Sequence, residues 1–296
     1  MRFEKVLVTG GAGRLGRHVV AELTGRCAVS VLDRGTPSDG PIDFPVDVLD
    51  LEAVSAAMQG HDAVIHLAAI DSSVTAPPEV VFDTNVRGTW NVLHAAHRAG
   101  VGKAVIASSS SAAGIDYTNP HLPPVYLPVD EAHPLRPSQA YGLSKQLDEQ
   151  IAQSFGHRGG LEVICLRPAW VMFPDARRRV IAERRGVAPP APPGRHREPF
   201  PLLRSYVAPD DAARAFRLAL ELEGLPYGVF IITAADTFEP EPTLVHLERT
   251  YGTKLDVRKP EVYASNPRAS AWDISRAREV LGWSPSRSWD ELSAEG

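Results

Sequence analysis

Apolar residues recur along this chain in two alternating rhythms. Short unbroken runs, KVLV at 5–8, AVSVLD at 28–33, DAVIHLA at 62–68, KAVIAS at 103–108, LEVICLR at 161–167 and GVFIIT at 228–233, read as strands buried on both faces. Between them, 14–24, 50–59, 78–99, 141–156 and 210–222 carry apolar residues at the three- and four-residue spacing of amphipathic helices. Strand and helix in strict alternation predict an α/β fold, a doubly wound parallel sheet with helices on both faces. The rhythm breaks twice. Residues 174–201 run from PDARRRVIAERRG into a proline-rich VAPPAPPGRHREPFP and predict a mobile loop, either a lid or a disordered segment. Residues 236–272 lack clean periodicity before a last helix, SRAREVLGW. The expected organisation is a sheet domain over 1–170, rejoined by 205–235, and a small split C-terminal lobe from 171–204 and 236–296.

Composition narrows the possibilities. A length of 296 residues with 44% hydrophobic content supports a full core. A formal net charge of -5 leaves no electrostatic footprint for nucleic acid, and no run approaches the ~20 apolar residues of a membrane helix. The two cysteines, Cys27 and Cys165, both lie in apolar strand-like runs, and no signal-peptide pattern precedes the first strand, so a reduced, cytoplasmic protein is expected.

Candidate chemistry begins at VTGGAGRLGRHVV, where Gly10, Gly13 and Gly16 follow the first strand directly. A bare turn between strand and helix lets backbone N–H groups approach a pyrophosphate beside the positive end of the helix dipole. About twenty residues on, the second strand ends at Asp33, where a carboxylate can accept hydrogen bonds from the adenosine ribose hydroxyls. That carboxylate favours NAD over NADP, whose 2′-phosphate it would repel, although Arg34, Arg14 or Arg17 could partly offset the repulsion. Asp47 and Val48 could face the adenine, and Leu67, Ala68 and Ala69 are small enough for the dinucleotide to pass close to backbone.

The strongest signal is AYGLSK. Tyr141 and Lys145 share one face of a predicted helix, and an ammonium beside a phenol favours the phenolate, lowering a pKa otherwise near 10. The pair is a proton-transfer device. Upstream, VIASSSSAAG offers Ser108 to Ser111 at the end of the fourth strand to orient a reacting alcohol. His94 and His97 lie three apart on a helix without acidic or cysteine partners, so no metal is expected, and His66 reads as a core residue.

Together these features resemble the extended short-chain dehydrogenase/reductase family, also called the NAD-dependent epimerase/dehydratase family. The resemblance runs through the glycine loop, Asp33, HLAA at 66–69, NVRGTWNVL from Asn85, the serine run, Tyr141 with Lys145, RP at 167–168, SYVAPDDAARA from 205 and DISRAREVLGWSP from 273. It implies a Rossmann-type fold with NAD held by Gly10, Gly13, Arg14, Leu15, Gly16, Asp33, Arg34, Asp47, Val48, Leu67, Ala68, Ala69, Asn85, Tyr141, Lys145 and Pro168. Asn85 reads equally as a structural tie near the cofactor. The resemblance implies that Tyr141 is the general acid/base, that Lys145 holds it and the nicotinamide ribose, and that Ser109 hydrogen-bonds the substrate, with Ser110 one residue out of register as the alternative. It also implies a homodimer through the helices at 78–99 and 141–156, with Trp90 and Leu93 as anchors.

Departures from the family pattern narrow the reaction. No acidic pair follows Ser109, which disfavours dehydration; no Asn-x-Tyr-Gly-Pro follows RP; and the C-terminal lobe is short for gripping a nucleotide diphosphate. Arg177, Arg178, Arg179, Arg184 and Arg185 form either a solvated loop face or an anion site, in which Arg177, Ser110 and Ser111 would meet the substrate. The expected activity is NAD-dependent oxidation of a sugar, sugar acid or related hydroxy compound. The alternatives are a nucleotide-sugar epimerase with tightly held NAD and a non-catalytic redox sensor, which would have no need of the base.

Overall fold

Six strands assemble as expected. They are β1 (Lys5–Thr9), β2 (Ala28–Leu32), β3 (Ala63–His66), β4 (Lys103–Ala107), β5 (Glu162–Pro168) and, after two short strands β6 (Trp170–Val171) and β7 (Tyr206–Val207), β8 (Tyr227–Ile232). Their order is β2-β1-β3-β4-β5-β8, every neighbour parallel, while β6 and β7 pair separately. Val6, Leu7 and Val8 in β1 and Val163 to Leu166 in β5 are fully enclosed, because helices cover both faces of the sheet. A bridge from Leu32 to Phe44 extends the β2 edge. Chain order reverses beside β1, so a crevice opens at the carboxyl ends of β1 and β3, where open α/β sheets bind their ligands. The computed structural model describes residues 3–35, 40–71, 76–115, 121–188 and 203–295.

The helices follow from local chemistry. α1 (Arg14–Leu23) starts at Gly13, and α2 (Leu51–Met58) is capped by Asp50, whose carboxylate accepts from the Ala53 N–H. The periodic stretch 78–99 is not one regular helix: α3 (Pro78–Phe82) passes through a π-helical turn (Asp83–Arg87) into α4 (Gly88–Ala99). Gly88 at that junction faces Val48, and a Cβ there would stand 2.8 Å from its side chain. α5 (Ala140–Arg158) carries the Tyr-Lys pair.

Residues 174–184, expected within a mobile loop, form α6 (Pro174–Arg184). Proline opens it, Asp175 sits in the first turn and Arg184 in the last, Arg179 pairs with Glu183, and Val180 alone is fully buried. A single buried apolar position amid arginines leaves little periodicity to read. Residues 189–201, most of the proline-rich remainder of that expected loop, lie outside the described residues.

α7 (Pro209–Glu221) packs against α1 beneath the sheet. The C-terminal part adds α8 (Thr243–Tyr251), α9 (Pro260–Ser265), α10 (Ser275–Leu281) and α11 (Trp289–Ala294). Leu247, Tyr263, Ala277 and Trp283 from this part join the core beneath the sheet, whereas Met172 and Val180 meet Phe238, Trp289 and Leu292 in a separate cluster. Buried Asp211 anchors the tail by accepting from the Ser286 and Arg287 backbone and the Ser286 hydroxyl. Among the described residues no helix is long and apolar enough to cross a membrane.

Candidate active site

The glycine turn shows why its residues are bare. Gly10 has φ +71°, and a Cβ there would lie 2.6 Å from the Ala68 nitrogen; at Gly16 it would lie 2.2 Å from the Gly10 carbonyl. Helix α1 therefore packs directly on the loop. Its N-cap, Gly13, offers no side-chain oxygen to the first-turn N–H groups, which is the arrangement an anion at a helix N-terminus uses. Asp33 accepts from Ala12 N at 3.1 Å and Gly35 N at 2.9 Å, so it braces the turn from the end of β2. Beside it Arg34 reaches the second carboxylate at this end of the crevice, Asp47, at 3.4 Å. Arg14 stacks on Phe173 with its guanidinium 4.1 Å from the ring centre and pairs with Asp175, so α6 closes over the glycine loop.

The opposite end holds the serines. Ser109 caps a 3-10 turn (Ser110–Ala113), its hydroxyl accepting from the Ser111 N–H at 3.1 Å and lying close enough to Tyr141 to favour the phenolate. Close approach of α5 makes this possible, for a Cβ on Gly142 would stand 2.6 Å from the Ser111 carbonyl. Ser108 is committed elsewhere: it donates to Glu149 at 2.6 Å, and Glu149 in turn takes Arg167 through two bonds of 2.7 Å in the core. Ser109 is thus the serine coupled to the tyrosine. Ser110 and Ser111 border the crevice.

Lys145 Nζ donates to the Ala107 carbonyl at 2.9 Å and to Asp148 at 3.1 Å, and stands 5.9 Å from the Tyr141 ring centre. Burial pushes the Tyr141 phenol up, and the pull of Lys145 and of the Ser109 hydroxyl does not fully cancel it. The lysine acts in the expected direction, but desolvation outweighs it. Burial likewise opposes the Lys145 charge, yet Asp148 and Tyr141 more than compensate and its pKa lies above the ordinary value.

One cleft of about 620 Å³ connects the two ends. Gly10, Gly13, Arg14, Leu15, Gly16, Asp33, Arg34, Asp47, Val48, Leu67, Ala68, Ala69, Ser109, Tyr141, Lys145 and Pro168 all border it. Two expected residues do not. Asn85 is fully buried; its amide pairs with both backbone groups of Ile70 and with Ser144, which makes it a tie between the loop after β3 and α5. Arg177 faces Glu295 at 2.8 Å, and it is Arg179, two residues on, that reaches the cleft. Sequence reasoning also passed over Gln139, Trp272 and Ser205 on the cleft wall and Asp148 behind Lys145; for Asp148 the signal was its place three residues beyond Lys145 on one helix. Among the described residues no group of histidine, cysteine or carboxylate side chains could hold a metal; His94 stacks on Trp90 instead.

A strand-end crevice with a glycine cradle at one end and a Ser-Tyr-Lys set at the other agrees with the sequence comparisons. The sequence profile of the NAD dependent epimerase/dehydratase family matches residues 6–232. The chain belongs to that family. It is an NAD-dependent enzyme of the extended short-chain dehydrogenase type. Among its relatives, L-arabinose 1-dehydrogenase (NAD(P)(+)) of Haloferax volcanii is 31% identical over 239 residues, covering 78% of this chain and 89% of that one. Uronate dehydrogenase of Pseudomonas syringae pv. tomato is 30% identical over 182 residues, 60% of this chain and 62% of the other. UDP-glucose 4-epimerase of Streptococcus mutans is 27% identical over 321 residues, 95% of this chain and 91% of that one. In structure, a short-chain dehydrogenase/reductase superfamily protein from Agrobacterium tumefaciens with bound NAD superposes with a TM-score of 0.72 at 26% identity, over 99% of this chain and 95% of that one.

Proposed function

We propose that this enzyme catalyses net NAD-dependent oxidation of a carbinol in a free sugar, sugar acid or related hydroxy compound, with Tyr141 as the base. The observation that carries the reading is that Ser109, Tyr141 and Lys145 border one cleft together, with Lys145 anchored on the Ala107 carbonyl, at the end away from Asp33. NAD fits the cradle. The glycine loop and the first turn of α1 would hold its pyrophosphate, Asp33 its adenosine ribose, and Lys145 the ribose near the tyrosine. When bound, its nicotinamide supplies the acceptor for the hydride that leaves the carbinol carbon. Ser109 orients the substrate hydroxyl, the minor ionised fraction of Tyr141 takes its proton, and the Ser109 and Tyr141 hydroxyls then donate hydrogen bonds to the oxygen as it becomes a carbonyl. Lys145 keeps its own proton and favours the phenolate.

Arg179, held by Glu183 at 2.9 Å and bordering the cleft, supports an anionic substrate such as a sugar acid. The arabinose and uronate dehydrogenases among the relatives support the dehydrogenase reading. The UDP-glucose 4-epimerase likeness over 95% of this chain supports the second reading, an epimerase that retains its NADH. A panel of sugars, uronates and UDP-, GDP- and dTDP-sugars separates them, followed by both NADH absorbance and product analysis. NADH accumulating with a free sugar or uronate is expected; an epimerised nucleotide sugar without NADH would replace the first reading by the second.

The partner for the exposed face of α3, α4 and α5 is a second copy of this chain. Trp90 and Leu143 are 41% and 40% exposed there, with Val80 and Phe82 beside them on α3. Leu93, expected as a second anchor, is fully buried in the core and takes no part. Free cysteines, one half-buried and one buried, support a reducing cytoplasmic location.

A further inference from the structure

Behind the Tyr-Lys pair lies a carboxylate that the proton transfer does not itself require. Asp148 is fully enclosed, and its Oδ2 accepts from Lys145 Nζ at 3.1 Å. Its Oδ1 is buried with no hydrogen bond of good geometry among the described residues. Leaving a buried carboxylate oxygen so poorly served carries a desolvation cost that an apolar side chain would avoid. Packing alone therefore does not explain the residue.

The surroundings show which charges count. On β3, His66 is neutral: burial holds its pKa down to about 3, and the Lys145 charge adds to that effect. Its two ring nitrogens lie 2.7 Å from the Thr9 hydroxyl and 3.1 Å from the Thr89 hydroxyl of α4, and Thr89 favours the Asp148 carboxylate. The neutral ring fits one orientation, in which Thr9 donates to His66, His66 to Thr89 and Thr89 towards Asp148. On α5 the neighbouring Glu149 is neutralised by Arg167 of β5. Burial pushes the Cys165 thiol of β5 well up, so it carries no charge. Asp71, after β3, is exposed and screened by water. Burial raises the Asp148 pKa above the ordinary carboxylate value, and Lys145 and Thr89 act against that; with the carboxylate ionised, the balance within the site is Lys145 positive and Asp148 negative.

We propose that Asp148 is a positioning residue that pins the Lys145 ammonium against the Ala107 carbonyl and balances its charge, making the Tyr141–Lys145–Asp148 cluster net neutral before proton transfer. The inference rests on Tyr141 being the base. An ammonium has three donors, and two are placed by Ala107 and Asp148, which leaves one aimed by default towards the cleft that Lys145 borders.

The charge count fixes a sign. With Asp148 ionised, losing one proton takes the cluster from zero to minus one; with asparagine it takes the cluster from plus one to zero. In a dry site the second loss is the easier one, whichever of Tyr141 and Lys145 gives up the proton. Asp148→Asn should therefore move the first ionisation to lower pH by about one unit or more. Tyrosinate absorbance of the cofactor-free protein, taken as the difference from Tyr141→Phe, reads this directly, and the acid limb of kcat/KM for oxidation should move the same way. Asp148→Ser removes the same charge should the asparagine variant not fold. In the unmodified protein Tyr141 should titrate above the ordinary tyrosine value of about 10.

An unmoved titration and acid limb in a folded Asp148 variant, or a Tyr141 in the unmodified protein that titrates below the ordinary value, would overturn the proposal. Its failure is distinct from failure of the functional reading. In the first case Tyr141→Phe is inactive while Asp148→Asn leaves the profile in place; in the second Tyr141→Phe retains activity.

Discussion

Removing the Ser109 hydroxyl tests three of its roles in one substitution. Ser109→Ala deletes the group that would donate to the developing carbonyl oxygen, the acceptor for the Ser111 N–H at 3.1 Å, and the hydroxyl that favours the Tyr141 phenolate. Loss of one preorganised donor at a developing charge costs roughly a hundredfold to a thousandfold in kcat, about 3–4 kcal/mol. Loss of the cap on the 3-10 turn costs about 1 kcal/mol of stability, a separate and smaller effect. Without the Ser109 hydroxyl, Tyr141 ionises at higher pH, so the acid limb of the rate profile moves up. Ser110→Ala, which removes no bond to the base, should cost about 1 kcal/mol or less. NADH formation against pH, with a denaturation curve for each variant, separates chemistry from folding. A larger loss for Ser110→Ala than for Ser109→Ala, or near-native kcat in Ser109→Ala, would refute the assignment.

Asp33→Ala should narrow the preference for NAD over NADP by weakening NAD binding, measured by titrating both cofactors; an unchanged ratio would mean that Asp33 only braces the turn through Ala12 and Gly35. His66 contributes a pH dependence of known sign. Its folded pKa, about 3, lies below the unfolded value of about 6.5, so the unfolded chain binds more protons in that window. Stability should fall as pH falls from about 6.5 towards 3, by roughly 1.4 kcal/mol per unit from this group, and His66→Gln should flatten the slope in urea melts. Trp90→Glu should convert a dimer to a monomer by light scattering, and a wild-type monomer would remove the proposed interface.

Much of this was legible in the sequence because it rests on strong local constraints. Strands buried on both faces must be apolar throughout, so all six strands of the main sheet could be read. Glycines at 10 and 16 are forced by backbone contacts too close for a Cβ, and Tyr141 with Lys145 by helical spacing. What was not legible depended on contacts between distant segments. α6 presents one buried valine among charges, so its helicity is carried by capping and by the Arg179–Glu183 pair rather than by an apolar stripe. Arg177 and Arg179 look alike in a charged run, yet residues two apart on a helix face different ways, and only the fold decides which meets the cleft. Asn85 needed the position of Ile70 and Ser144 to be seen as a tie. The net upward push on Tyr141 required its burial, which spacing alone does not reveal.

Proton transfer by Tyr141 is the step on which the proposed reaction depends. The decisive measurement compares the wild type with Tyr141→Phe for NADH formation on the best substrate of the panel, with NAD affinity determined calorimetrically for both. The phenylalanine keeps the ring and loses only the hydroxyl, so NAD affinity should stay within about threefold, under 1 kcal/mol, while hydride transfer is lost. Retention of wild-type turnover by Tyr141→Phe, with NAD bound normally, would contradict the mechanism.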